Sequence, residues 1–439
     1  MTMSTRFIRA LAIPGALAAI ALTGCDLNKI LQVQPANLIP AVELEKPESS
    51  ALLVAGVASD FDCAFNSYVV VGALIGEEFE DGLQTADRWP YDQRNVSPSQ
   101  VRYSRNSCTA LGIYAPLHGA RVSANNVRRL MEGWTDVQVP NLRSQHIARL
   151  AAYEAWSQLL LAEAFCETVF STVNGEVINY GTRLTRTQAL DTAIARFTQA
   201  IDGAAAIGIG NAAADSIRFF ALVGRARAHH DKGDMTAARA DAAVVPAAFV
   251  WNVTASNSNT RRQNRVFQES NLTTVPSSSV GARYRQASYT SDPRIPITNR
   301  NIVSNGTNVP LWAQRKYTLV TSSIPAATGL EMQLLIAEAD IATNTANTLA
   351  IIATMRTAGA QGAYTGTTAA EHLAEIIDQR RRALFLTGTH FGDIIRYNLQ
   401  ISPASGATTP WNQSFGPDVG SQLCLPLPDV EIQNNPNLR

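Results

Sequence analysis

The chain has 439 residues, with 36 Lys and Arg against 36 Asp and Glu, so its formal net charge is zero. That balance excludes a general nucleic-acid binder and a polybasic membrane-surface protein. Charged residues are only 16% of the chain. Asn, Ser, Thr and Gln fill their place, a surface suited to a secreted protein that meets neutral polar ligands.

Arg6 and Arg9 form a basic start, and residues 10–22 are an uninterrupted apolar run. Such a run is shorter than the roughly 20 residues a bilayer span needs, and fits the h-region of a signal peptide. Leu22-Thr23-Gly24-Cys25 resembles the lipobox of a bacterial lipoprotein. That resemblance implies a signal peptide over 1–24 and a lipid on Cys25, with the mature chain held to a membrane outside the cytoplasm by that anchor alone. Residues 25–48, with prolines at 35, 40 and 47, read as an extended arm.

Four further cysteines are present: Cys63, Cys108, Cys166 and Cys424. In an oxidising compartment they allow up to two disulfides, in any of three pairings. The sequence does not choose among them. Cys63–Cys108 is favoured because both are expected in one loop-rich region. No Cys/His spacing points to zinc.

Helical spacing begins at Pro47 and is expected to end near Phe61. Residues 79–112 read as loop, with turn signals at Asp81-Gly82, Trp89-Pro90-Tyr91 and Ser97-Pro98-Ser99. Residues 113–133 are helical again. A long helix follows Pro140, with Asn141 as its expected cap. Residues 187–206 form a helix with Leu190, Ile194, Phe197 and Ile201 in one stripe. Asp215 opens another, which turns at Lys232-Gly233-Asp234 and resumes at Met235. This last pair is similar to a tetratricopeptide unit, with Ala226 and Ala238 as the small residues at the helix contact. With the alanine-rich segments 145–170 and 330–356, the pattern predicts about four helix pairs in a short array. Residues 246–328 are rich in Asn, Ser, Thr and Pro, and so long an interruption is expected to be functional or partly β. Gly329 restores a helix.

Residues 376–397 read Ile-Ile-Asp-Gln-Arg-Arg-Arg-Ala-Leu-Phe-Leu-Thr-Gly-Thr-His-Phe-Gly-Asp-Ile-Ile-Arg-Tyr. An amphipathic helix is expected to end near Gly388, which suits a left-handed cap. A short element follows, in which Asp393 and Arg396 pair with each other or with the arginine run. Arg380, Arg381, Leu384, Gly388, Asp393, Arg396 and Tyr397 resemble the closing motif of the SusD/RagB family of outer-membrane nutrient-binding lipoproteins. Gln379, Ala383 and Thr387 stand where that motif usually has acids, and His390 where it has arginine. The terminal segment from Leu425-Pro426 to Leu438 and the segment from Leu31 to Asn37 resemble the same family.

The resemblance implies a mainly α fold: a tetratricopeptide-like helix-pair array, a large irregular ligand-binding region and little β. It implies one domain over 49–439, with helical repeats at about 113–245 and 329–397 and the irregular region at 246–328. It further implies an outer-membrane, cell-surface lipoprotein that binds an oligosaccharide or peptide. Such a protein is the lid of a SusC-like TonB-dependent barrel, with its helical layer facing the barrel. No catalysis, cofactor or metal is expected, since no phosphate loop, HExxH or GxSxG occurs. The alternative is a structural scaffold lipoprotein of the envelope that binds no small ligand.

Sugar C–H faces pack on aromatic rings while polar groups satisfy the hydroxyls. Loop position therefore nominates Trp89, Tyr91 and Arg94, and Tyr284, Tyr289 and Trp312. The competing reading makes these residues core anchors of irregular segments, more so for the tyrosines. Glu77-Glu78-Phe79-Glu80-Asp81 reads as a solvated acidic turn, lacking the spacing of a calcium loop. His229-His230 reads as a solvated helix end.

Overall fold

The computed structural model describes residues 44–439 apart from 84, 176, 272–275, 305–308 and 409–417. The signal peptide, the lipobox with Cys25, most of the 25–48 arm and the Leu31–Asn37 segment lie outside the described residues.

The first long helix, α1 (Ser50–Ile75), runs well past Phe61. From Phe61 to Ile75 every residue is buried, so this half has no apolar stripe for periodicity to detect. A turn leads to β1 (Phe79–Asp81), and then come two single-turn helices, Trp89–Asp92 and Val101–Arg105. Next are α2 (Tyr114–Gly133) and α3 (Arg143–Ala164). Asn141 does not cap α3: it takes a positive φ of 63°, and Leu142 occupies the cap position. Two small antiparallel pairs follow, β2 (Glu167–Val169) with β5 (Arg183–Thr185) around β3 (Thr172–Asn174) with β4 (Val177–Asn179).

The helical run continues with α4 (Arg186–Ile207), α5 (Ala212–Asp231) and α6 (Met235–Ala242). Each start is chemically marked. Thr185 and Gln188 form a reciprocal capping box, and Asn211 and Asp234 accept from the first free N–H groups of their helices. Consecutive helices pack on one another from α2 to α6, and α1 packs on α2 and α3. Close approach is enforced by small residues. Ala226 and Ala238 are fully buried, and a Cβ on Gly224 would sit 2.2 Å from the Phe197 ring.

Residues 246–328 are partly β. Strand β6 (Val250–Val253) pairs with β10 (Ile324–Thr328), β7 (Ser278–Val280) with β1, and β8 (Ile297–Val303) with β9 (Pro310–Gln314). All are antiparallel. The segment around 330–356 is two helices, α7 (Gly329–Ala339) and α8 (Thr345–Ala358). They are followed by α9 (Ala369–Ala383) and α10 (His390–Tyr397). Helix α9 stops before Gly388, with Leu384 at its cap, and Gly388 instead supplies φ +83° in the turn to α10. The architecture is thus predominantly α-helical with minor β, and Pro47–Arg439 forms one compact unit.

The interior holds ions as well as hydrocarbon. Arg227 of α5 is 2% exposed and donates to both Glu331 oxygens at 2.8 and 2.9 Å. It stands 3.9 Å from Glu163 and 5.1 Å from the Trp156 ring centre. Glu163 in turn accepts from Tyr68 of α1. Arg380 of α9 grips Asp393 of α10 at 2.9 and 3.0 Å. Arg396 joins Asp393 at 2.7 Å and reaches Asp231 of α5. Burial alone would raise the Asp393 pKa, but Arg380 and Arg396 hold it well below the usual carboxylate range. The Arg380 and Arg396 motif positions therefore lock the last helices onto α5.

Two disulfides add cross-links. Cys63–Cys108 joins α1 to a short turn, so Cys63 lies inside a helix and not in the loop-rich region expected for it. Cys166–Cys424 spans 258 residues and lies beside the Phe165–Leu425 bridge. Together with the Tyr114–Glu431 hydrogen bond at 3.0 Å, they pin the C-terminal segment to α2 and α3.

Removing one partner of a buried ion pair costs roughly 3–5 kcal/mol, because the other charge is left uncompensated. Arg380→Met is expected to lose stability of that order in urea unfolding, and the double variant Arg380→Met/Asp393→Leu to lose less. A double variant as unstable as the sum of the singles would refute this account.

Candidate functional site

The turn that ends α1 is buried, contrary to its solvated reading. Glu77, Glu78 and Asp81 are each at most 4% exposed. Glu77 sits at φ +64° and meets Arg283 at 2.5 Å and Arg381 at 3.6 Å. Glu78 accepts from the Leu386 amide at 2.7 Å. Glu80 pairs with Arg285 at 2.7 Å. The acids act as struts between β1, β7 and the turn after α9. No group of His, Cys, Asp or Glu among the described residues is arranged to hold a metal ion.

Crowding these acids perturbs them. Burial pushes Glu78 up to about 7, with the Leu386 amide and Lys316 pulling the other way. Burial likewise raises Glu80 to about 7 against Arg285. Asp92 is raised to about 8 by burial and by its neighbours Asp81 and Glu80. Lys316 is lowered to about 8, chiefly by its burial.

This base positions two half-buried tryptophans. Trp89 starts the turn of helix Trp89–Asp92, with Pro90 behind it in the first turn. The preceding Arg88 is fastened to Glu269 at 2.6 Å and to Thr85 at 2.7 Å. Trp312 lies in β9, its amide donating to Ser279 Oγ at 3.0 Å. The Gln314 amide, two residues on, donates to Ser270 Oγ at 3.0 Å. Glu269 and Ser270 are adjacent in one short helix, Arg265–Asn271. Both tryptophan-bearing segments therefore converge on the same element. Opposite Trp312 in the strand register is Asn299, exposed, and directly opposed residues share a face. An indole ring beside an amide can meet a ligand that has both C–H faces and hydroxyls.

The other nominated residues are interior. Tyr91 is buried and donates to the Leu111 carbonyl at 2.9 Å. Arg94 is 3% exposed and donates to the Gly420 and Pro403 carbonyls, so it holds those two residues together. Tyr284 is fully buried between Tyr289 and Phe385, with ring centres 5.4 and 4.8 Å away. Tyr289 is buried, donates to Asp378 at 2.8 Å and carries the Arg382 guanidinium 4.2 Å from its ring centre. These four anchor irregular segments, because a loop this close to the core must bury its aromatic and long side chains. His230 is also buried, 2.9 Å from Glu338, so the double histidine is not a solvated helix end. Arg88, Glu269, Ser279 and Asn299, which support or flank the tryptophans, carry no local sequence signal. They act through partners up to 181 residues away.

An acid whose folded pKa exceeds its unfolded value keeps its proton only in the folded state, so stability falls as pH rises toward the folded pKa. Glu78, Glu80 and Asp92 all behave this way, with values near 7, 7 and 8. Unfolded histidines titrate near 6.5 and no longer oppose the trend above it. The thermal midpoint is expected to fall between pH 6.5 and the Asp92 value of about 8. Asp92→Asn should flatten that slope; an unchanged slope would mean that Asp92 is already ionised in the folded state.

No protein-family model matches the chain, and no curated protein matches its sequence. Solved structures do resemble it. A SusD superfamily protein from Parabacteroides distasonis superposes with a TM-score of 0.67 at 12% identity, covering 92% of this chain and 99% of its own. A SusD-like carbohydrate binding protein from Bacteroides vulgatus gives 0.63 at 13% identity, covering 90% and 97%. Surface glycan-binding protein A from Bacteroides uniformis gives 0.63 at 12%, covering 88% and 98%. Near-complete coverage in both directions leaves one statement about architecture: the chain has the fold of the SusD superfamily.

Proposed function

We propose that the protein is a nutrient-binding lipoprotein of the outer membrane. It captures an oligosaccharide at the cell surface and acts as the lid of a TonB-dependent, SusC-like barrel. The observation that carries this reading is the convergence of the Trp89 and Trp312 segments on helix Arg265–Asn271. In this reading the two half-buried indoles serve as aromatic faces for sugar C–H groups, with hydrogen-bonding groups at the rim. The fold shared with proteins described as carbohydrate-binding and as surface glycan-binding supports the ligand class.

The lipobox at Cys25 supports the address, and no helix among the described residues is long and apolar enough to cross a membrane. The tetratricopeptide-like pairing of α4 with α5 and α6 supplies the barrel-facing layer in this reading. An anchor at Cys25 followed by an extended arm keeps the lid at high local concentration over the barrel, so each opening leaves the two proteins associated.

Glycan-array screening followed by calorimetry on the purified protein tests the ligand claim. Trp89→Ala and Trp312→Ala should each weaken glycan affinity by about tenfold or more while leaving the thermal midpoint near that of the parent. Unchanged affinity in both folded variants removes these tryptophans from the site. Recovery of no barrel in a pull-down from solubilised outer membrane would favour the scaffold alternative.

A further inference from the structure

From Ser50 to Ser59, helix α1 carries no charged residue. Its outward positions there are Ala51, Leu52, Ala55 and Gly56, all exposed. A helix face that meets water is ordinarily polar or charged. Two other segments share this trait. Val137, between α2 and α3, is 90% exposed, and Ile209, between α4 and α5, is 75% exposed. Ile209 stands between Gly208 at φ +129° and Gly210 at φ +94°, and a Cβ added to either glycine would meet nothing within 4 Å. Backbone conformation, not crowding, requires glycine on both sides, and the turn holds Ile209 out in solvent.

The helix directions bring these segments to one end of the array. Tyr68 of α1 donates to Glu163 near the end of α3, and the Phe61 ring centre lies 5.1 Å from that of Tyr153, nearer the start of α3. Helices α1 and α3 therefore run the same way, and α1 begins at the end where α3 begins. The Ser67 hydroxyl agrees, donating at 2.7 Å to the Gly112 carbonyl just before α2, whose far end is tied to the start of α3 by Arg143 and the Met131 carbonyl at 2.9 Å. Helix α4 runs against α3. Arg196 stands 3.3 Å from Glu154, and a Cβ on Gly203, close to the end of α4, would lie 3.4 Å from Ala148. Ala148, Ala204 and Ile217, from α3, α4 and α5, form a small core cluster of their own. The start of α1, the loop with Val137 and the exposed Leu142, and the turn with Ile209 thus share one end. The chain that precedes Pro47 joins the body there.

We propose that this end of the helical array rests on a lipid bilayer, with Leu52, Val137, Leu142 and Ile209 set into the boundary between headgroups and acyl chains. The proposal rests on the reading of Cys25 as a lipid anchor, because the segment from Cys25 enters the body at this end. The tips are single side chains on separate segments. A folded partner would need a surface matched to each of them, whereas a fluid acyl boundary accepts any apolar side chain. Arg143 is engaged by Asp136 at 3.3 Å and by the Met131 and Glu132 carbonyls, so attraction to anionic headgroups is not the driving force. The tether keeps the tips at high local concentration beside the bilayer, and shallow insertion of a few side chains then fixes the orientation of the body. Val177 and Ile178 of the β3–β4 hairpin are also exposed, but they lie at the opposite end, where α3 stops and α4 begins. They provide an internal control.

The chain from Cys25 onward, coupled through the Cys25 thiol to a maleimide-bearing lipid in phosphatidylcholine vesicles, tests the proposal. The other four cysteines are held in disulfides and do not compete. Amide hydrogen exchange is compared between the coupled and the free protein. Exchange in residues 134–142 and 207–211 is expected to slow by about tenfold or more on the vesicles, while that of Val177–Asn179 stays as in solution. The double variant Val137→Ser/Ile209→Ser should keep the parent thermal midpoint and lose the protection in both segments. No protection in the coupled parent, equal protection of Val177–Asn179, or full protection in the folded double variant would each overturn the proposal. The coupling is chemical, so the outcome does not depend on natural acylation. The intact mass of the protein extracted from its own membrane reports the Cys25 lipid separately.

Discussion

A guanidinium sealed inside a helical protein must be answered by opposite charge and by hydrogen bonds, and Arg227 sets that condition here. Its partners come from three directions: Glu331 of α7, Glu163 of α3, and the Trp156 ring beneath it. Glu163 is held in turn by Tyr68 of α1, and a Cβ on Gly392 of α10 would lie 3.4 Å from its carboxyl. Each helix that supplies a partner must arrive before the charge is compensated. Breaking one buried pair costs more than the pair adds over a hydrophobic substitute. The network therefore couples the early helices α1, α3 and α5 to the late helices α7 and α10 as an all-or-none arrangement.

Three consecutive arginines extend that coupling toward the irregular region. Arg380 points to Asp393 and closes α9 on α10. Arg381 reaches Glu77 in the turn that ends α1. Arg382 binds Asp378 at 2.6 Å and the Ser288 carbonyl at 2.7 Å, and lies over Tyr289. Successive residues of a helix project about 100° apart, so one turn of α9 holds three separate pieces of structure. Two of those pieces belong to the irregular base on which the tryptophans stand. Where the family motif usually has an acid, Gln379 instead bridges Gln361 and Glu375 at 2.7 Å and accepts from Arg294 at 3.0 Å. An amide can donate and accept at once, so Gln379 serves both kinds of partner.

The exposed faces of the helices were legible because their signals are local. Lys232-Gly233-Asp234 marks a helix turn through adjacent residues, whereas the caps Thr185 and Asn211 are not among the expected ones and the expected cap, Asn141, does not cap α3. Such signals fail where burial is complete. Residues 61–75 are buried around the whole circumference of α1, Asp62, Asn66 and Ser67 included, so the helix is expected from its pattern to stop near Phe61. Of the proposed site, Trp89 and Trp312 are nominated by their place as large aromatics in polar loops, and both stay half-buried. Tyr91, Arg94, Tyr284 and Tyr289 carry the same local signature and lie inside, because nothing in a loop sequence states which side of the chain faces the core. The acids at 77–81 and His230 were misread for the same reason.

The sequence by itself determined the helix periods, the polar break at 246–328 and the order of motifs toward the C-terminus. Those features depend on neighbours within a turn or two of the chain. Only the tertiary structure decided which charges are buried, which cysteines meet and which aromatics remain reachable. Arg227 finds Glu331 across 104 residues, Leu386 finds Glu78 across 308, and Cys166 finds Cys424 across 258. Contacts of that range are selected by the need to satisfy every ion and polar group that packing removes from water. That requirement becomes visible only when all the elements are in place.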